Sequence, residues 1–288
     1  MRHKSFLGLN PQGFHQISYQ EWGDPCNEDV VLCIHGLTRN GGDFYWLAEQ
    51  LSKTYRVVCP DMVGRGRSTY LYDGARYHYA QYMSDVNALI ARLNVKQIKW
   101  VGTSMGGIIG MMLASQPLSP ISAMVLNDIG PFVSAAGLQR LAKYVPKAHV
   151  FTQFEEAVHF LKTTLLGCRD LTALQWKQMA EQSIVWDSVQ KRWTVAYDPA
   201  IASTIPTKDI KDLDFWKYWE RIVCPVLAMQ GGDSDLLSSE TLEQMARKPA
   251  VQTVSFPKQG HALSLATPDQ VALIEQWFAK YDASKNAS

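Results

Sequence analysis

Six short segments rich in apolar residues recur along the chain, at 30–34, 55–59, 98–101, 123–126, 225–229 and 251–256. Apolar runs of this length without polar alternation predict strands buried on both faces, as in the middle of a parallel sheet. The segments between them space their apolar residues with a helical period, at 45–52, 79–93, 107–115, 239–246 and 268–281. Residues 16–22 alternate and predict an antiparallel edge strand at the start. Strand alternating with helix predicts an α/β chain built on a doubly wound, mostly parallel sheet.

The alternation stops between about residue 131 and residue 219. Helical patterns at 136–144, 154–166 and 171–181 follow one another here without a clear strand run. The stretch carries Trp176, Trp186, Trp193, Trp216 and Trp219, five of the nine tryptophans. It reads as an all-helical cap at 132–219, dividing a core into parts 1–131 and 220–288. Most of these tryptophans are expected to anchor cap helices, and one or two to line an apolar pocket between the two units.

Chemistry concentrates after the third apolar run. Gly102-Thr103-Ser104-Met105-Gly106 fits G-x-S-x-G, with a predicted strand before it and an apolar helix after it. That context turns a common pentapeptide into a nucleophile elbow. Serine at such an apex stands above the sheet edge, beside a helix N-terminus that favours negative charge. A serine nucleophile needs a base, an acid and an oxyanion site. His261, in Gln259-Gly260-His261-Ala262, follows the last apolar run and precedes the C-terminal helix, where a loop can carry an imidazole over Ser104.

His35-Gly36 after the first run, Asp61-Met62-Val63-Gly64-Arg65-Gly66-Arg67-Ser68 after the second, the elbow after the third and Gly260-His261 near the end resemble the α/β-hydrolase superfamily, in its Ser/His/Asp, carboxylesterase-like form. The resemblance spans roughly residues 20–280. It implies Ser104 as nucleophile, His261 as base and the backbone N–H groups of Leu37 and Met105 as the oxyanion hole. It makes Gly64 and Gly66 loop-shaping residues. The family usually places its acid in a G-x-x-D loop after the penultimate strand. Here that loop reads Gly231-Gly232-Asp233-Ser234-Asp235, with serine at the expected aspartate. Some relatives carry the acid one strand earlier, where this chain has Asp128. Asp128 and Asp235 are equal candidates, with Asp233 behind both.

Ser104 at the elbow argues against epoxide hydrolases and haloalkane dehalogenases, which use aspartate there, and Thr38 replaces the proline of their His-Gly-x-Pro turn. Thioesterases, lactonases, perhydrolases, acyltransferases and C–C bond hydrolases keep the same triad, as do some hydrolase-fold receptors for small ligands. Arg39 is a candidate for holding a substrate carboxylate, or a solvated loop arginine. The expected substrate is a small to medium apolar carboxylic ester, and the implied scheme requires no metal or organic cofactor.

Composition narrows the partners. The 288 residues carry 28 basic and 27 acidic side chains, a net charge of +1 without a basic stripe, so nucleic acid is not an expected partner. No apolar run approaches the ~18 residues of a membrane span, and the polar start predicts no signal peptide. Five cysteines without C-x-x-C spacing are expected to be buried free thiols, which suits a reducing cytoplasm. No heptad or apolar stripe indicates an oligomer.

Overall fold

The computed structural model describes residues 1–145, 149–204 and 208–286. The chain opens with a hairpin of β1 (Arg2–Asn10) and β2 (Gly13–Trp22). There follow β3 (Val30–Ile34), α1 (Tyr45–Leu51), β4 (Arg56–Pro60), α2 (Tyr79–Leu93), β5 (Ile98–Thr103), α3 (Met105–Ala114) and β6 (Ile121–Asn127). An insertion comes next: β7 (Phe132–Val133), α4 (Ala135–Tyr144), β8 (Val150–Phe151), α5 (Phe154–Thr164), α6 (Ala173–Ser183), β9 (Ile184–Asp187), β10 (Arg192–Val195), β11 (Leu213–Asp214) and α7 (Trp216–Trp219). The core resumes with β12 (Val226–Gly231), α8 (Ser239–Met245), β13 (Val251–Phe256) and α9 (Pro268–Asn286).

Eight strands form one sheet in the order β1-β2-β4-β3-β5-β6-β12-β13. From β4 to β13 every neighbour is parallel; β2 joins β4 antiparallel and β1 joins β2 antiparallel. All five residues of β3 are buried, as its unbroken apolar run requires. Helices α1 and α9 cover one face, with Leu47, Leu51, Ile274 and Phe278 against Val31, Val57 and Val125. Helices α2, α3 and α8 cover the other, with Leu89, Ile109 and Met245 against Leu32, Trp100 and Leu126. The sheet is thus doubly wound, and the loops at the C-terminal ends of its parallel strands converge on one edge.

Three expectations need correction. The edge strand is β1; the strand expected there starts at Gly13 and lies second. The polar start is the outer face of β1, where residues alternate between exposed and covered. The insertion is not all-helical: β8, β10 and β9 form a small antiparallel sheet, and β7 pairs with β11. Trp186 and Trp193 stand directly opposite each other on β9 and β10, with ring centroids 5.2 Å apart. That cross-strand pair supports strands too short to show a period in the sequence. Four cysteines are buried, but Cys26 is exposed. Among the described residues, no helix is long and apolar enough to cross a membrane.

Candidate active site

Ser104 sits between β5 and α3 with φ 51° and ψ −114°, a strained conformation for a residue with a side chain. The glycines around it make the turn sterically feasible. A Cβ on Gly106 would fall on the Ile34 carbonyl oxygen, and one on Gly102 would meet the Gly106 carbonyl and the Trp100 indole. The serine is therefore pushed out of the sheet edge at the start of a ten-residue helix.

The loop after β13 brings His261 over it. His261 Nε2 lies 2.9 Å from Ser104 Oγ, and His261 Nδ1 lies 2.7 Å from Asp128 Oδ2. Asp128, at the tip of β6, is fully buried with φ 55°. Its Oδ1 accepts the Gly231 amide at 2.8 Å, and its Oδ2 also accepts the Ser234 hydroxyl at 2.7 Å. Serine at the place where an acid was expected thus donates to an acid supplied by the neighbouring strand. Asp235 is not part of this arrangement. It pairs with Arg140 of α4 at 2.5 Å. Asp233 lies 3.6 Å from Arg169. Both carboxylates tie the β12 loop to the insertion and leave His261 to Asp128. Asn127 steadies the histidine loop, donating to the Leu263 carbonyl and to Thr103 Oγ1.

The turn after β3 faces Ser104 from the other side. Neither the Leu37 amide nor the Met105 amide has an acceptor among the described residues. Both are free to receive an oxyanion. His35 fixes the turn from beneath: its Nδ1 is 2.7 Å from the Gly36 carbonyl, and its Nε2 accepts the Met62 amide at 2.9 Å. An imidazole that donates from one nitrogen and accepts at the other is neutral. Burial pushes its pKa down to about 3, and the cations Arg65 and Arg39 push the same way. Gly64 and Gly66, both at positive φ, shape the loop after β4; the Gly66 amide donates to the Ala196 carbonyl of the insertion.

Two hollows flank Ser104. The larger, about 300 Å³, is mostly apolar and lies between the core and the insertion. Leu37, Tyr79, Tyr82, Met105, Ile108, Ile129, Val133, Leu138 and Leu141 line it, with Lys211 as its cation. Lys211 is exposed and makes no ion pair among the described residues. The smaller hollow, about 70 Å³, is lined by Arg39, Asp43, Cys168 and His261 among others. Arg39 is not a solvated loop side chain: it holds Asp43 through two bonds, at 2.5 and 2.8 Å. Among the described residues, no tryptophan lines either hollow. Trp176 is buried inside the insertion with Leu161 and Leu171, and Trp219 is buried against the core. Tyrosines of α2 take the expected place, a role hidden because they fit α2's helical period as ordinary core residues.

Sheet, elbow and acceptor-free amides together define a hydrolase of the α/β type. Residues 29–267 match the alpha/beta hydrolase fold family, and the chain belongs to it. Over 280 residues it is 41% identical to the 3-hydroxybutyrate-oligomer hydrolase of Cupriavidus necator, covering 94% of this chain and 95% of that one. A serine hydrolase-like protein of Danio rerio is 34% identical over 121 residues, 42% of this chain and 37% of that protein. Among solved structures, a Rickettsia typhi chain superposes with a TM-score of 0.91 at 32% identity, covering 97% of this chain and 99% of its own. An alpha/beta hydrolase from Novosphingobium aromaticivorans superposes at 0.85 with 34% identity, covering 95% and 97%.

Proposed function

We propose that the protein is a serine esterase for short oligoesters of hydroxy acids, with 3-hydroxybutyrate oligomers as the first candidates. The observation that carries this reading is the Ser104–His261–Asp128 chain of hydrogen bonds, with Ser104 lining the apolar hollow. His261 takes the hydroxyl proton as Ser104 Oγ attacks the ester carbonyl. Asp128 accepts the Nδ1 proton bond, fixes the tautomer and stabilises the imidazolium. The Leu37 and Met105 amides receive the oxyanion, each donor contributing about 3–4 kcal/mol at the transition state. His261 returns the proton to the departing alcohol, and water repeats the sequence on the acyl-enzyme.

Likeness over almost the full length to an enzyme named for 3-hydroxybutyrate oligomers supports the oligoester. So does Lys211. An acid oligomer ends in a free carboxylate, and this exposed cation lines a hollow that is otherwise mostly apolar. The insertion acts as the cap over that hollow. Arg39, already bound to Asp43, does not favour the C–C hydrolase reading.

The test is hydrolysis of 3-hydroxybutyrate dimer and trimer beside p-nitrophenyl esters from C2 to C12. Turnover of the oligomers and of the short esters is expected, with activity falling towards C12. A folded enzyme that cleaves none of them overturns the esterase reading; one that cleaves only the p-nitrophenyl esters overturns the oligoester.

A further inference from the structure

Arg65 is among the largest fully buried side chains in the protein. Its Nε donates to the Leu37 carbonyl at 2.8 Å, and one Nη donates to the Val63 carbonyl at 2.7 Å and to the Tyr82 hydroxyl at 2.9 Å. The other Nη meets Met105 Sδ at 3.7 Å. Its guanidinium lies over the rings of Tyr77 and Tyr82, 5.5 and 5.0 Å from their centroids. Every one of these partners is neutral. No carboxylate pairs with Arg65 among the described residues.

Other charges removed from solvent have partners, either ion pairs or, for Asp61, the Gly41 and Arg67 amides. Glu21 has Arg2, Lys4 and Arg56, and Arg39 has Asp43. Burying a cation without a counter-ion is costly, and an apolar side chain of similar volume would fill the same slot. The two residues this cation touches on the reactive side, Leu37 and Met105, line the hollow beside Ser104 and are those whose amides lack an acceptor among the described residues. We propose that Arg65 is the positioning residue of the oxyanion site, fixing both amides and holding a positive charge whose counter-ion is the oxyanion formed during the reaction. This inference rests on the reading of Ser104 as the nucleophile. A fixed charge of this kind strengthens as negative charge develops, so it favours the transition state over the bound ester.

The test uses Arg65→Met, Arg65→Gln and Arg65→Lys in the full chain. The readouts are kcat and KM for p-nitrophenyl butyrate, and the inhibition constant of an alkyl trifluoromethyl ketone, which adds to serine as a stable oxyanion. Ser104→Ala is run beside them. If that variant still turns over the ester at the wild-type rate, the reading of the site falls, independently of Arg65. The neutral variants are expected to lower kcat about 100-fold, to weaken the ketone by a matching factor and to leave KM within about threefold. Lysine is expected to recover most of both losses. Folded neutral variants with kcat and ketone inhibition within about threefold of wild type would overturn the proposal, whatever their melting temperature. Should neither neutral variant fold, lysine decides: rate and inhibition must shift together, and a fall in kcat with unchanged inhibition overturns it.

Discussion

At the scale of single residues, hydrogen bonds rather than motif decide which carboxylate meets His261. Asp128 and Asp235 both lie on loops at the same sheet edge, but Asp235 is held by Arg140 and Asp128 by Gly231, Ser234 and His261. Asp128→Asn is expected to lower kcat about 10³–10⁴-fold, the loss that follows when a triad acid becomes an amide. Asp235→Asn should stay within about threefold, since it removes only a partly exposed ion pair. Ester hydrolysis by the two purified variants checks both, and the reverse order would reassign the acid. His35 carries a prediction about pH. Its folded pKa of about 3 lies below its ordinary 6.5, so the unfolded chain binds a proton there that the folded chain does not. Stability is full above 6.5 and falls as pH drops towards about 3, with a slope of roughly 1.4 kcal/mol per pH unit from this residue. Denaturant melts between pH 7 and 4 should show that slope in wild type and a shallower one in His35→Gln.

At the scale of elements, what the sequence made legible is what depends on neighbours along the chain. Strand β3 and helix α2 follow their apolar patterns end to end, because central strands and amphipathic helices write their burial into consecutive positions. Ser104 and His261 were legible for a similar reason, each lying in a short motif at a strand end. The hairpin of β9 and β10 was not, because four-residue strands gain their identity from each other. Nor was Arg65, whose place in a glycine-rich loop says nothing about two tyrosine rings from α2 and the segment before it. The pairing that keeps Asp235 away from His261 depends on Arg140, 95 positions earlier on an element whose contacts the pattern does not give. The elbow yields a direct prediction. Gly106→Ala puts a methyl on the Ile34 carbonyl, so β3 or α3 must shift, and with them the Met105 amide. The melting temperature should fall by several degrees and kcat by more than tenfold, measured by calorimetry and ester hydrolysis. A variant with wild-type values would show that the turn has room the geometry denies.

At the scale of the whole molecule, core and insertion both line the hollow beside Ser104. The sheet fixes Ser104, His261 and Asp128 from three strand ends, while the insertion supplies Val133, Leu138 and Lys211 to the hollow above them. On the proposed function, chemistry and selection are expected to be separable. Lys211→Ala is expected to raise KM for 3-hydroxybutyrate trimer several-fold and to leave p-nitrophenyl butyrate within about threefold, because only the oligomer carries a free carboxylate. Equal effects on both substrates would remove Lys211 from recognition. The central claim is that an ester is cleaved through Ser104. Its most direct test is mass spectrometry of the protein after reaction with a fluorophosphonate, followed by peptide mapping. One adduct on Ser104, absent from Ser104→Ala and formed in step with loss of ester hydrolysis, is the predicted result; an adduct on another residue, or none on an enzyme that still cleaves the ester, would contradict it.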